Sequence, residues 1–258
     1  MTLDLFSLSG KTALVTGGSQ GIGLMISRGL VQAGAKVFVS SRKADVCEAA
    51  ATELSEFGVC EPLPADVSSQ AGITALVGDL QQRTDTLEIL VNNAGTGWAA
   101  PLEEYPDSAW DKVLGLNVKA PFNLTVACLP LLQAAASSDD PARVINLGSI
   151  EGFRTQQVEN YAYATSKAAN HHLTRLLAQR LASDQITVNT IAPGPFPSKM
   201  MALEFEERQD AYEDANPMGR VGQPEDMAGI SVFLASRASS WITGQVIAVD
   251  GGFSTAPW

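Results

Sequence analysis

The stretch Lys11-Thr12-Ala13-Leu14-Val15-Thr16-Gly17-Gly18-Ser19-Gln20-Gly21-Ile22-Gly23 decides how this chain is read. An apolar run, Thr12–Thr16, breaks into glycines and continues as a helix-length segment, Ile22–Ala33. Strand, glycine turn and helix in that order aim backbone N–H groups from a helix N-terminus, and glycine lets a pyrophosphate approach them. Placed in the first strand–helix unit, the turn reads as a dinucleotide-binding one, carried by Gly17, Ser19, Gln20, Gly21, Ile22 and Gly23.

The alternation continues along the chain. Short apolar runs recur at Lys36–Ser40, Ile89–Asn92, Arg143–Leu147, Thr187–Ile191 and Val246–Val249, with a weaker one at Val59–Pro64. Such runs suit strands buried on both faces of a parallel sheet. Between them lie the helix-length segments Ala44–Phe57, Ile73–Arg83, Trp110–Ala136 and Tyr161–Ser183. The expected fold class is α/β, a single domain over residues 1–258. It is a Rossmann-type, doubly wound parallel sheet of about seven strands, flanked by helices. One segment departs from this rhythm. It opens Pro193-Gly194-Pro195-Phe196-Pro197-Ser198-Lys199 and turns acidic through Glu204, Glu206, Glu207, Asp210, Glu213 and Asp214. Its place past a strand end predicts a substrate flap at about residues 195–217, although a solvated acidic helix accounts equally for the charges.

Composition narrows the function. The 258 residues are 45% hydrophobic and 17% charged, too apolar for a disordered chain. With 17 Lys+Arg against 28 Asp+Glu the net charge is −11, which argues against nucleic acid and anionic membrane as partners. Cys47, Cys60 and Cys128 have neither metal-ligand nor disulfide spacing, so no metal is expected and the thiols read as reduced. The N-terminus lacks the basic start of a secretory signal, and no apolar run approaches the ~18 residues of a membrane helix. A soluble cytoplasmic enzyme is the expectation.

The second strand ends Ser40-Ser41-Arg42-Lys43, where an NAD enzyme usually places an acid for the ribose hydroxyls. Ser41, Arg42 and Lys43 instead suit a 2′-phosphate, and the cofactor is read as NADP(H). Asp66 and Val67 after the third strand, and Asn93, Ala94 and Gly95 after the fourth, lie at strand C-terminal ends where such sheets bind ligands. Tyr163 and Lys167 stand four apart and share a helix face; an ammonium there favours the phenolate. Ser149 closes the fifth strand and places a hydroxyl at the same sheet edge. Tyr161, six residues before Lys167, faces elsewhere, and His171 and His172 read as packing residues.

With Thr16-Gly17-x-x-x-Gly21-x-Gly23, Asn92-Asn93-Ala94-Gly95, Asn117, Ser149, Tyr163-x-x-x-Lys167 and Pro193-Gly194 together, the chain resembles the short-chain dehydrogenase/reductase superfamily along its length. The resemblance implies that Ser149 orients a carbonyl and Tyr163 protonates its oxygen. Lys167 would bind the nicotinamide ribose and tune Tyr163, while Asn117 would hold a water linking Lys167 to solvent. Pro193 and Gly194 would form the nicotinamide-side turn, with Phe196 offering its N–H and Ser198 standing where the family often has Thr. It also implies a homotetramer.

Within that superfamily, 92–106, 141–152, 191–200 and 216–228 resemble 3-oxoacyl-thioester reductases. That implies NADPH-dependent reduction of a 3-oxoacyl thioester, carried on acyl-carrier protein or coenzyme A. Trp98, Phe153, Phe196 and Met200 are candidates for an acyl slot, and Arg154, Lys199 and Arg220 for a basic docking patch. Reduction or dehydrogenation of a small ketone, diketone or cyclic alcohol is the alternative, and a non-catalytic NADP-binding protein is a third reading.

Overall fold

The computed structural model describes residues 3–155, 158–198 and 202–255. Seven parallel strands form one sheet in the order β3-β2-β1-β4-β5-β6-β7. They are β1 (Thr12–Thr16), β2 (Lys36–Ser40), β3 (Cys60–Pro62), β4 (Ile89–Asn92), β5 (Ala142–Leu147), β6 (Ile186–Pro193) and β7 (Val246–Val249). The chain order reverses between β1 and β4, which opens a crevice at the carboxyl ends of the strands.

Helices cover both faces. On one lie α1 (Gly21–Gln32), α2 (Ala44–Leu54) and α8 (Pro224–Ala235), packed through Ile26, Leu30, Leu54, Met227 and Leu234 onto Ala13 and Val15. On the other lie α3 (Gln70–Gln81), α5 (Ala120–Ala135) and α6 (Tyr161–Leu181). Their Leu76, Leu80, Leu124, Leu132 and Leu181 meet Leu14, Leu90 and Val144. Neighbouring residues of β1 thus serve opposite layers, which is why the strand is apolar throughout.

A buried polar chain fixes the strand ends against the helices. Asn92 Nδ2 donates to Thr125 Oγ1 at 3.2 Å and to Asn146 Oδ1 at 2.9 Å, and Asn146 Nδ2 donates to Thr174 Oγ1 at 2.8 Å. The tips of β4 and β5 are thereby held in register with α5 and α6, the elements that carry the site.

The expected single helix over Trp110–Ala136 is corrected. It comprises α4 (Asp107–Leu114), a π turn at Gly115–Lys119, and α5. Pro121 explains the widening: it has no N–H to return to the carbonyl of Asn117, four residues earlier. That carbonyl is taken instead by Asn170 Nδ2 of α6, at 3.2 Å. The segment after β6 does carry a helix, α7 (Ala202–Ala215). No helix among the described residues is long and apolar enough to cross a membrane.

Candidate active site

A cavity of about 470 Å³ runs along the carboxyl edge of the sheet from the β1–α1 turn to α7. At its floor, Gly17 (φ +64°) donates its N–H to Ser40 O at 2.7 Å, folding the turn over the end of β2. A Cβ at Gly23 would stand 2.1 Å from Gly17 O, so glycine alone lets α1 start this close to the strand. Thr16 Oγ1 accepts the N–H groups of Asn93 and Ala94, each at 3.1 Å, and Asn93 Nδ2 donates to the carbonyls of Thr16 and Gly17. These bonds tie the two glycine-bearing loops into one wall.

Every residue assigned to the cofactor from the sequence lines this cavity: Gly17, Ser19, Gln20, Gly21, Ile22 and Gly23, then Ser41, Arg42, Lys43, Asp66 and Val67. Asn93, Ala94, Gly95, Pro193, Gly194, Phe196 and Ser198 complete it. Arg42 and Lys43 are exposed beside the β2 end. The Asp66 carboxyl is held below its usual range, first by Ser68, which bonds it, and less by Arg42. A glycine cradle at a helix N-terminus with a basic pair at the β2 end fits a phosphorylated dinucleotide.

Ser149, Tyr163 and Lys167 converge at the other end of the cavity. Lys167 is buried; its Nζ donates to Leu147 O at 2.8 Å and lies 5.4 Å from the centroid of the Tyr163 ring. Burial pulls its pKa down to about 8, with Glu151 opposing. Tyr163 departs from the expectation of a favoured phenolate. Burial raises its pKa well above the ordinary phenol, and Glu151 adds to the rise; a hydrogen bond with Ser149 only partly offsets them. The phenol is therefore held protonated at neutral pH, the state of a proton donor.

Asn117 stands in the π turn, behind the cavity wall. Its side chain is consumed structurally: Nδ2 donates to Thr96 O and Ser166 Oγ, and Oδ1 accepts from Thr96 N, each at 2.9 Å. Its main-chain carbonyl is the group turned to α6. Tyr161 donates its hydroxyl to Glu159 at 2.9 Å and does not line the cavity. His171 is buried against Gly148, Gly152 and the Phe153 ring, in keeping with packing.

The proposed acyl-slot quartet is not brought together. The Phe196 ring is buried in the core, where Gly222 leaves room for it. Phe153 packs on His171, Trp98 lies under Lys112, and neither lines the cavity; Met200 falls outside the described residues. Nor does the basic patch form as expected, since Arg220 pairs with Asp226 through two bonds of 2.6 and 2.9 Å. Lys199 lies outside the described residues.

The wall near Tyr163 consists instead of Thr96, Ile150, Glu151, Val158, Asn160 and, from α7, Tyr212. The sequence reading missed these. Glu151 stands two residues after Ser149, but only the short 3-10 turn Ile150–Gly152 brings it to the cavity. Tyr212 needed the path of the 195–217 segment.

A dinucleotide cradle joined to a Ser–Tyr–Lys constellation defines an oxidoreductase. The comparisons with known proteins give the family. The sequence profile described as Enoyl-(Acyl carrier protein) reductase matches residues 17–254. The chain is 50% identical over 250 residues to the Pseudomonas aeruginosa rhamnolipids biosynthesis 3-oxoacyl-[acyl-carrier-protein] reductase, covering 96% of this chain and 98% of that one. A gluconate 5-dehydrogenase of Gluconobacter oxydans is 35% identical, with 98% of each chain covered. Among solved structures, the Pseudomonas aeruginosa RhlG/NADP active-site complex superposes with a TM-score of 0.95 at 49% identity, over 97% of this chain and 99% of that one. A gluconate 5-dehydrogenase from Burkholderia cenocepacia, in complex with NADP and tartrate, gives 0.92 at 30% identity over the whole of both chains. This chain belongs to the short-chain dehydrogenase/reductase family.

Proposed function

We propose that this protein reduces 3-oxoacyl thioesters to 3-hydroxyacyl thioesters with NADPH. The observation that carries the reading is the 50% identity, along nearly the full length, to a 3-oxoacyl-[acyl-carrier-protein] reductase. The relative solved as an NADP active-site complex, and Arg42 and Lys43 at the end of β2, support the choice of cofactor. The residues that would hold it are those of the two glycine loops, Ser41, Arg42, Lys43, Asp66, Val67 and the 193–198 turn, and Tyr163 and Lys167 would face its nicotinamide half.

When bound, NADPH supplies the hydride. Ser149 donates a hydrogen bond to the substrate carbonyl, and Tyr163, kept neutral by its surroundings, gives its proton to the oxygen as negative charge grows there. Lys167, whose ammonium lies 5.4 Å from the Tyr163 ring, would orient the ribose and tune Tyr163, and Asn117 would hold a water linking Lys167 to solvent. The 195–217 segment closes over the substrate, with Tyr212 reaching the cavity. Exposed apolar side chains on α5 and α6, Phe122, Val126 and Leu176, support assembly as a homotetramer.

The polar wall of Thr96, Glu151 and Asn160 favours a second reading, reduction of a small ketone or diketone. Initial rates of NADPH oxidation with acetoacetyl-CoA, longer 3-oxoacyl thioesters and small diketones separate the two. Thioester turnover that rises with chain length is expected; activity confined to small ketones removes the protein from acyl chemistry.

A further inference from the structure

The carboxylate of Glu151 is an odd presence in a site proposed for an acyl chain. It lines the same cavity as Ser149, Tyr163 and Lys167. Among its contacts, its backbone N–H donates to Ser149 Oγ at 3.2 Å, and Asn160 Nδ2 donates to Oε2. Asn160 in turn accepts the backbone N–H of Tyr163 at 2.8 Å, at the start of α6. Glu151 is therefore strung between the two residues that must grip the substrate carbonyl, and the N-terminus of α6 favours its charged form.

A carbonyl held by Ser149 and Tyr163 carries its nearest substituents into this surrounding. In a free 3-oxo acid, one methylene separates the carbonyl carbon from a carboxylate. In the thioester or an ester the same position is uncharged. Lys167, the one cation lining this end of the cavity among the described residues, already faces the field of Glu151. An incoming carboxylate thus gains little from Lys167 and is repelled by Glu151.

We infer that Glu151 is a specificity-determining residue, an electrostatic filter that rejects 3-oxo carboxylates and admits the same skeleton once its carboxyl charge is masked as a thioester or ester. The inference rests on the proposed 3-oxoacyl chemistry, and it gives a reason for a carboxylate in that site: free acids and thioesters are then not competing substrates. Removing the charge leaves Lys167 uncompensated and turns repulsion of the acid into attraction.

The test uses three matched compounds, acetoacetate, ethyl acetoacetate and acetoacetyl-CoA, with NADPH and the full-length protein. The reading is the ester-to-acid ratio of kcat/KM in the wild type, Glu151→Gln and Glu151→Asp. Glu151→Gln is expected to lower that ratio at least tenfold, about 1.4 kcal/mol of lost discrimination. Glu151→Asp, which keeps the charge, is expected to retain most of it. An equal ratio in the wild type and Glu151→Gln overturns the filter. Circular dichroism melts of each variant report folding.

Acetoacetate titrated calorimetrically into the NADP⁺ complex decides the point independently of turnover. At least tenfold tighter binding to Glu151→Gln is expected, and equal affinity overturns it. The two proposals fail separately. An inert acetoacetyl-CoA beside a ratio that falls in Glu151→Gln removes the thioester reading and keeps the filter. Good thioester turnover with an unmoved ratio does the reverse.

Discussion

The ammonium of Lys167 is bonded at 2.8 Å to the main-chain carbonyl of Leu147, the last residue of β5. One hydrogen bond stands in for the hydration of a buried cation, and burial accordingly pulls its pKa down to about 8. The sign follows from linkage. Between about 8 and 10.5 the unfolded chain holds the proton that the folded one has released, so stability rises with pH across that window. At neutral pH both states are charged, and the folded state bears the full penalty, on the order of 3 kcal/mol. Lys167→Met is therefore expected to raise the midpoint of thermal unfolding at pH 7 while abolishing turnover, with the gain shrinking toward pH 10. Loss of the bond to Leu147 trims the benefit to about 1–3 kcal/mol. A destabilised Lys167→Met at pH 7 contradicts the account.

Tyr163 presents the complementary case. Burial and then Glu151 hold its proton on, so reduction is expected to keep its rate through neutral and mildly alkaline pH. Oxidation of the 3-hydroxy product, which needs the phenolate, is expected to rise only at high pH. Tyr163→Phe removes the proton donor without disturbing the ring packing, and kcat for reduction is expected to fall by about 10²–10⁴. Stopped-flow and steady-state pH profiles of both directions check this. An unchanged kcat in the phenylalanine variant rules Tyr163 out as the acid.

Arg42 and Lys43 carry the cofactor preference. Both are exposed at the mouth of the cavity, so their removal disturbs no packing. The double change Arg42→Ala/Lys43→Ala is expected to raise KM for NADPH about 10–100-fold, matching one or two charge-assisted bonds to a 2′-phosphate. KM for NADH should scarcely move. Equal effects on both cofactors would place the 2′-phosphate elsewhere.

These residues were legible in sequence for a physical reason. A phosphate turn, a strand end and a Tyr-x-x-x-Lys helix face are local patterns, and a parallel sheet brings all strand C-termini to one edge. The same holds for β1, β2, β4 and β7, whose limits match the apolar runs. The less local features were hidden. The π turn at Gly115–Lys119 depends on Pro121 withholding a donor and on Asn170 arriving from another helix. Phe196 reads from the sequence as an acyl-slot candidate; that its ring enters the core is decided by Gly222, in a distant part of the chain. Glu151 is placed by Asn160, across a loop that no periodicity describes.

The imidazole of His171 gives the last prediction. It is buried beside Lys167 on α6, with Gly148 and Gly152 leaving room for the ring and the Phe153 ring tilted against it at 4.7 Å. Burial, followed by the charges of Lys167 and Arg175, lowers its pKa to about 4. Because the unfolded imidazole titrates near 6.5, the unfolded chain binds the extra proton first, and stability is lost as pH falls from about 6.5 toward 4. The loss from this one group is expected to be about 1–2 kcal/mol, reduced from the full shift by solvent screening. His171→Gln, which cannot titrate, should flatten that part of the profile of unfolding midpoint against pH. Space is the second half of the argument. A Cβ at Gly148 would lie 2.3 Å from His171 Nε2 and 2.7 Å from Thr190 Cγ2, so Gly148→Ala is expected to cost about 1–3 kcal/mol and to displace the adjacent Ser149. Adding His171→Ala opens the space the new methyl needs. The double variant should then be less destabilised than the sum of the single changes, a coupling that chemical denaturation of the four proteins measures directly. Strict additivity would show that the imidazole is not what Gly148 makes room for.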